Sequence, residues 1–265
     1  MFTDSHCHLT DDETALRASA AGVGYILNAG KDWDESAAQL EMCRRMRELR
    51  ENGVNAPMMW TSAGVHPDSA KAKLDTVSEE MLLTATENEF VIAIGECGLD
   101  YHYGADCKEE QKEMFRRHVE VAGKSGLPIM IHQREAEDDM WEILQNGKKK
   151  YPNLRGVIHC FSSSQNFADK MLTLGFYISA SGIVTFKSAQ NVAEVFKTYP
   201  NEMILTETDS PYLAPVPFRG KENEPAFVLK TAEKIAEIKG LTSDEIAFIT
   251  TNNFFNLYTK AIRKV

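Results

Sequence analysis

Phe90-Val91-Ile92-Ala93-Ile94-Gly95-Glu96 is the stretch that decides the fold. Six residues without a charge or an apolar/polar alternation read as a strand buried on both faces, as parallel strands covered by helices are. The run ends on a carboxylate. Working outward, the same pattern recurs. His6 and His8 end the run 1–8, His132 ends 127–132, His159 ends 155–159 and Asp209 ends 203–209. Ionisable side chains at the C-terminal ends of buried strands are how a (β/α)-barrel active site looks in sequence.

The rest of the chain fits that frame. Strands are expected near 1–6, 24–28, 57–63, 90–95, 127–131, 155–159, 175–179 and 203–207. Helical patterns lie between and after them, at 33–51, 77–88, 107–125, 136–149, 164–174, 188–199, 226–239 and 243–260. In 107–125, Met114, Phe115, His118, Val119 and Ala122 share one face; Gly126 stops the helix and Pro128 opens the next strand. Ser243, followed by Asp244 and Glu245, reads as the cap of the last helix. Strand–helix alternation implies right-handed βαβ units, and eight of them predict a TIM-type (β/α)8 barrel forming a single domain over 1–265. The proline-containing segment 210–225 reads as an ordered loop at the active site.

Composition narrows the function classes. The 265 residues carry a net charge of −10, which argues against a broad basic nucleic-acid surface but not against a nucleic-acid substrate met locally by cations. The five cysteines are odd in number and form no C-x-x-C pair, so free thiols in a reducing compartment are expected. Strand-like sequence begins at once, without a signal peptide, and no apolar run approaches the length of a membrane span. These features point to a cytoplasmic protein that does not enter membranes. Nothing resembles a coiled coil, so a monomer is the expectation.

Two residues apart on a strand, His6 and His8 face the same way, and Cys7 between them points to the packing side. Glu96 beside apolar residues is costly to bury unless paired or metal-bound, and its two oxygens can each take one cation of a binuclear site. His132, His159 and Asp209 each have a bland reading taken singly: a hydrogen-bonded strand-end histidine, or an aspartate capping a loop. Five strands placing histidine or acid at one end point instead to a shared divalent-metal site suited to hydrolysis.

These motifs resemble the TatD family of metal-dependent deoxyribonucleases, within the amidohydrolase-like barrels, over essentially the whole length. The resemblance rests on D-S-H-C-H-L at 4–9, G-V-H-P at 64–67, G-E-C-G-L-D-Y at 95–101 and I-H-Q-R-E-A at 131–136. It continues through I-H-C-F-S at 158–162, S-G-I-V-T-F-K at 181–187, E-T-D-S-P-Y-L at 207–213 and N-E-P at 223–225. Ser163 stands where the family often has glycine. The resemblance implies two divalent cations, one held by His6, His8, Glu96 and Asp209, the other by Glu96, His132 and His159. Hard carboxylates with several histidines admit Zn, Mn or Fe, with Mg as a working ion.

The expected activity is hydrolysis of phosphodiester bonds in single-stranded DNA from an end, with Asp209 as base and Glu96 setting the cation spacing. His66 is assigned to phosphate or transition-state charge, Arg134 to clamping a phosphate with its planar fork, and Tyr101 to a base. Arg134 can instead pair with Glu135 or Asp138. Phe161 and Tyr212 are further stacking candidates. The same site admits other reactions: ester hydrolysis on aminoacyl-tRNA, which would make RNA the partner, or small-molecule amidohydrolase chemistry. Glu96, where such enzymes can carry a modified lysine, favours the nuclease. A binding or sensing protein without turnover is the alternative of another class.

Overall fold

In the computed structural model, which describes residues 1–30 and 32–263, the apolar runs become strands and the stretches between them helices. The expectation of one domain over 1–265 includes Lys31, Lys264 and Val265, which lie outside the described residues. The first half holds β1 (Phe2–Cys7), α1 (Asp12–Ala20), β2 (Val23–Asn28), α2 (Ser36–Glu51), β3 (Met58–Ala63), α3 (Ala70–Lys73), α4 (Glu79–Ala85), β4 (Val91–Asp100) and α5 (Lys108–Ser125). The second holds β5 (Ile129–Arg134), α6 (Glu137–Lys150), β6 (Gly156–Ile158), α7 (Gln165–Thr173), β7 (Tyr177–Ala180), α8 (Gln190–Thr198), β8 (Ile204–Thr206), α9 (Val228–Lys239) and α10 (Ser243–Leu257).

Among the described residues the eight strands form one parallel sheet in the order β1 to β8. Backbone bonds from Asp209 N to His6 O (3.0 Å) and from His8 N to Ser210 O (2.8 Å) bridge β8 back to β1. The buried Asp4 carboxylate adds bonds from Thr208 N (3.0 Å) and Thr208 Oγ1 (2.5 Å) across the same seam. The architecture is the TIM-type (β/α)8 barrel.

Burial on both faces explains the unbroken apolar runs. Tyr25, Leu27, Trp60, Ile92, Met130, Val157 and Leu205 form one cluster with Phe254 and Tyr258. A cluster drawn from six strands can form only inside the barrel. Ile26, between Tyr25 and Leu27, packs instead with Ala15, Ala18, Met42 and Met46 of α1 and α2. Period-two alternation is thus present, but both destinations are apolar.

Several expected boundaries shift. The segment 33–51 begins as a 3-10 turn at Trp33–Glu35 before α2, and the last helix stops at Leu257 rather than 260. Its cap is Thr242, not Ser243: Glu245 N donates to Thr242 Oγ1 and Thr242 N to the Glu245 side chain, a reciprocal capping box. The larger difference is that β4 runs to Asp100 and β5 to Arg134, so Glu96 and His132 lie within strands rather than at their ends.

A β-bulge sets the direction of Glu96. Ile94 pairs with Ile129 and Cys97 with Ile131, so three steps along β4 match two along β5. Ile94 and Cys97 both belong to the cluster that includes Met114 and Phe115 of α5. The extra residue turns Glu96 to the barrel interior, where strict alternation from Ile94 would have sent it outward. Gly95 makes the bulge possible: its φ is 138°, and a Cβ there would sit 2.4 Å from Met130 O. A similar shift lies between Asp4 and Cys7 on β1.

Candidate metal centre

The interior positions converge at the C-terminal end of the barrel. His6 Nε2 lies 3.1 Å from His8 Nε2, each of them 3.4 Å from Glu96 Oε2 and 3.6 Å from Asp209 Oδ1. The other Glu96 oxygen, Oε1, faces His159 Nε2 at 2.8 Å, His132 Nδ1 at 3.3 Å and His66 Nε2 at 3.4 Å. One buried carboxylate thus presents each oxygen to a separate histidine pair, with His66 as an additional neighbour of Oε1. Cys7 turns away and packs with α1 and α2.

These separations suit ions. Four ligand atoms about 2.1 Å from a tetrahedral cation lie about 3.4 Å from one another. Glu96 Oε2 and His159 Nε2 are also buried without a hydrogen-bond partner among the described residues, a costly arrangement that a bound cation satisfies. The donor set of imidazole and carboxylate fits a divalent ion.

The electrostatics follow from the crowding. Burial pushes the Glu96 carboxyl up, but His159, His66 and His6 outweigh it and hold the group well below the ordinary carboxylate range. Asp209 is likewise held low, its burial overcome by the neighbouring imidazoles of His8, His159 and His6. Burial opposes a charge on His66, but Glu96 on one side and Asp68 on the other push it up to about 9. A cluster of imidazoles crowded around one carboxylate is a donor set that a divalent cation would hold together.

Local chain features fix these side chains. His159 follows β6 directly and Asp209 lies three residues beyond the end of β8; Cys160 (φ 46°) and Asp209 (φ 58°) adopt the left-handed conformation uncommon for residues other than glycine. The loop after Asp209 is ordered by the buried Asn223, whose Nδ2 donates to Thr208 O (2.9 Å) and Tyr212 O (2.6 Å).

The site opens into a cavity of about 510 Å³, with Tyr103, Arg134, Ile183, Tyr212 and Leu213 on its walls. The Arg134 guanidinium lies 4.7 Å above the Tyr103 ring, and among the described residues neither Glu135 nor Asp138 pairs with it: Glu135 bonds His102 and Asp138 faces Lys170. Tyr101 is placed differently from expectation. It does not line the cavity; its hydroxyl donates to Asp139 on α6 and its ring underlies Lys108. Phe161 is core, packed against Phe167 and Phe196. A second cavity of about 510 Å³, at the opposite ends of β3 and β4, is lined by Arg47, Arg50, Trp60 and Phe90 and holds no histidine.

Three residues escaped the sequence reading. Asp100 Oδ2 accepts from His132 Nε2 at 2.9 Å, and Glu207 Oε1 lies 3.4 Å from His159 Nδ1. Tyr103 takes the rim position expected of Tyr101. The available signals were the carboxylate four residues after Glu96, the one two before Asp209, and the aromatic two after Tyr101.

Residues 3–259 match the family described as TatD related DNase. The chain is 39% identical over 270 residues to an uncharacterized metal-dependent hydrolase of Escherichia coli K12, YcfH, covering 97% of this chain and 95% of that one. It is 38% identical to the Bacillus subtilis 168 uncharacterized metal-dependent hydrolase YabD, covering 97% and 99%. Among solved structures, the TatD homolog YjjV of E. coli K12 superposes with a TM-score of 0.82 at 28% identity, over 97% of this chain and 98% of that one.

Proposed function

The chain belongs to the TatD related DNase family, and on that premise we propose that it is a metal-dependent hydrolase of phosphodiester bonds, acting from the end of single-stranded DNA. The observation that carries this reading is Glu96, whose two oxygens face the His6–His8 pair and the His132–His159 pair separately. That is the donor arrangement of a two-cation centre. Two divalent cations bound there, one to His6, His8, Glu96 and Asp209 and one to Glu96, His132 and His159, would supply Lewis acidity to the phosphate and lower the pKa of the attacking water.

The chain's own groups do the rest. Asp209, held ionised, turns Oδ1 to the His6–His8 pair and keeps its second oxygen to take the water's proton. His66, set between Glu96 and Asp68 beside the cation positions, would offer a ring N–H to negative charge on the phosphate. Arg134, set over Tyr103 and free of a carboxylate among the described residues, offers its planar fork to a neighbouring phosphate. Tyr212, which also lines the cavity, gives a base a ring to stack on. A cavity of about 510 Å³ is of small-ligand size, which favours a strand end over a continuous duplex.

The test is cleavage of an end-labelled single-stranded DNA oligonucleotide with Mg²⁺ or Mn²⁺, beside an EDTA control and Asp209→Asn. The expected result is a ladder that requires both the metal and Asp209. Wild-type protein with cations bound and no cleavage would refute the nuclease reading and shift it to an ester such as that of aminoacyl-tRNA.

A further inference from the structure

We infer that Asp100 and Glu207 are positioning residues for one half of the centre: they hold His132 and His159 in the tautomers that turn a ring lone pair toward Glu96 Oε1. The inference rests on the two-cation reading above and adds which residues the second cation position depends on.

Asp100 is buried, and its acceptors are committed. Oδ1 takes the backbone N–H groups of His102 and Tyr103, both at 2.9 Å, so the carboxylate is fixed in rotation. Oδ2 then meets His132 Nε2 at 2.9 Å. An ionised carboxylate only accepts, so Nε2 carries the proton and Nδ1 is left unprotonated, 3.3 Å from Glu96 Oε1. Glu207, fully buried, does the same from the other side. Its Oε1 takes Cys160 N–H at 2.7 Å and faces His159 Nδ1 at 3.4 Å, which directs the Nε2 lone pair at Glu96 Oε1, 2.8 Å away. His159 Nε2 has no hydrogen-bond partner there among the described residues, as a ligand atom would not.

The His6–His8 half is built otherwise. His8 Nδ1 meets the backbone carbonyl of Ala29 at 3.0 Å, and His6 Nδ1 faces the thioether of Met130 at 3.1 Å. Neutral acceptors back these two rings, carboxylates the other two. A carboxylate behind an imidazole fixes its tautomer and raises its basicity as a ligand, and its loss typically weakens metal binding 10–100-fold. Removing Asp100 or Glu207 therefore weakens one cation position and spares the other.

The substitutions separate orientation from general damage. In Asp100→Asn the amide oxygen must serve His102 and Tyr103, so the NH₂ faces His132 Nε2 and donates; the ring proton moves to Nδ1 and the lone pair toward Glu96 is lost. In Glu207→Gln the amide oxygen stays with Cys160 N–H and His159 Nδ1–H, so the tautomer is kept, whereas Glu207→Leu removes the acceptor. The experiment is titration of metal-stripped protein with Mn²⁺ and Zn²⁺, reading stoichiometry and both dissociation constants, with circular dichroism as the fold control. Wild type and Glu207→Gln should bind two ions alike. Asp100→Asn and Glu207→Leu should keep one ion at wild-type affinity and hold the other about 10–100-fold more weakly. Folded Asp100→Asn that binds two ions as wild type does, or that loses both equally, overturns the inference. Wild type that binds fewer than two ions overturns the two-cation reading and this inference together; two ions bound as expected but no DNA cleaved overturns only the nuclease assignment.

Discussion

Protonating His118 should destabilise the folded state of this protein. His118 lies on α5, fully buried, with Nδ1 bonded to Met114 O at 2.7 Å and Nε2 accepting Val65 N–H at 3.0 Å. Both ring positions are used by a neutral imidazole, and the second bond ties α5 to the loop that carries His66. A second proton has no acceptor and would sit uncompensated in the core. Burial pushes the group down, from 6.5 to about 4. The unfolded chain therefore binds a proton between pH 6.5 and 4 that the folded chain does not. Stability contributed by this group is complete above pH 6.5 and is lost as pH falls toward 4. The full difference is about 3 kcal/mol, and about 2 kcal/mol of it has gone by pH 5, or roughly 4–8 °C in Tm for a chain of this size. The assay is urea unfolding of metal-stripped wild type and His118→Gln at pH 7 and pH 5. Gln can offer Val65 an acceptor but does not titrate, so the wild type should lose about 2 kcal/mol more than the variant over that interval. Equal losses in the two proteins would refute the reasoning, whatever the baseline stability of the variant.

Gly95→Ala should destabilise by a few kcal/mol and reduce the ion count, because the added Cβ meets Met130 O at 2.4 Å and φ is 138°; urea unfolding and metal analysis check both, and wild-type values would mean that the bulge does not aim Glu96. Arg134→Ala should raise KM for an oligonucleotide about 10-fold, about 1.4 kcal/mol, with little change in kcat; a loss confined to kcat would place Arg134 in the chemical step instead. A cation at 100 times its Kd should stabilise the wild type by about 2.7 kcal/mol, read as a rise in Tm that EDTA reverses, and an unchanged Tm would argue against tight binding by the folded centre.

Barrel and histidines were legible from the chain because the underlying physics is local. A parallel strand covered on both faces must be apolar throughout, so Phe90–Ile94 announces itself, and an ionisable group closing such a run stands out against it. His6 and His8 share a face through the period of two alone. Composition and periodicity could not tell which polar residues at the rim face inward, since that depends on neighbours distant in sequence. Tyr101 and Tyr103 are equivalent in the sequence; Asp139 on α6 holds the first away from the cavity, and Arg134 on β5 lies over the second.

What the sequence determined by itself is the alternation of strand and helix and the residue types available at the strand ends, because burial selects apolar residues wherever the chain folds. Tertiary structure alone decided the aim. Period-two counting from Ile94 sends Glu96 out of the barrel; the bulge, seen only in the pairing of Ile94 with Ile129 and Cys97 with Ile131, turns it inward. The carboxylates behind His132 and His159 come from residues 32 and 48 positions away, and no local rule links them. Register and hydrogen-bond partners across strands belong to the closed sheet, because each depends on where another strand has already come to rest.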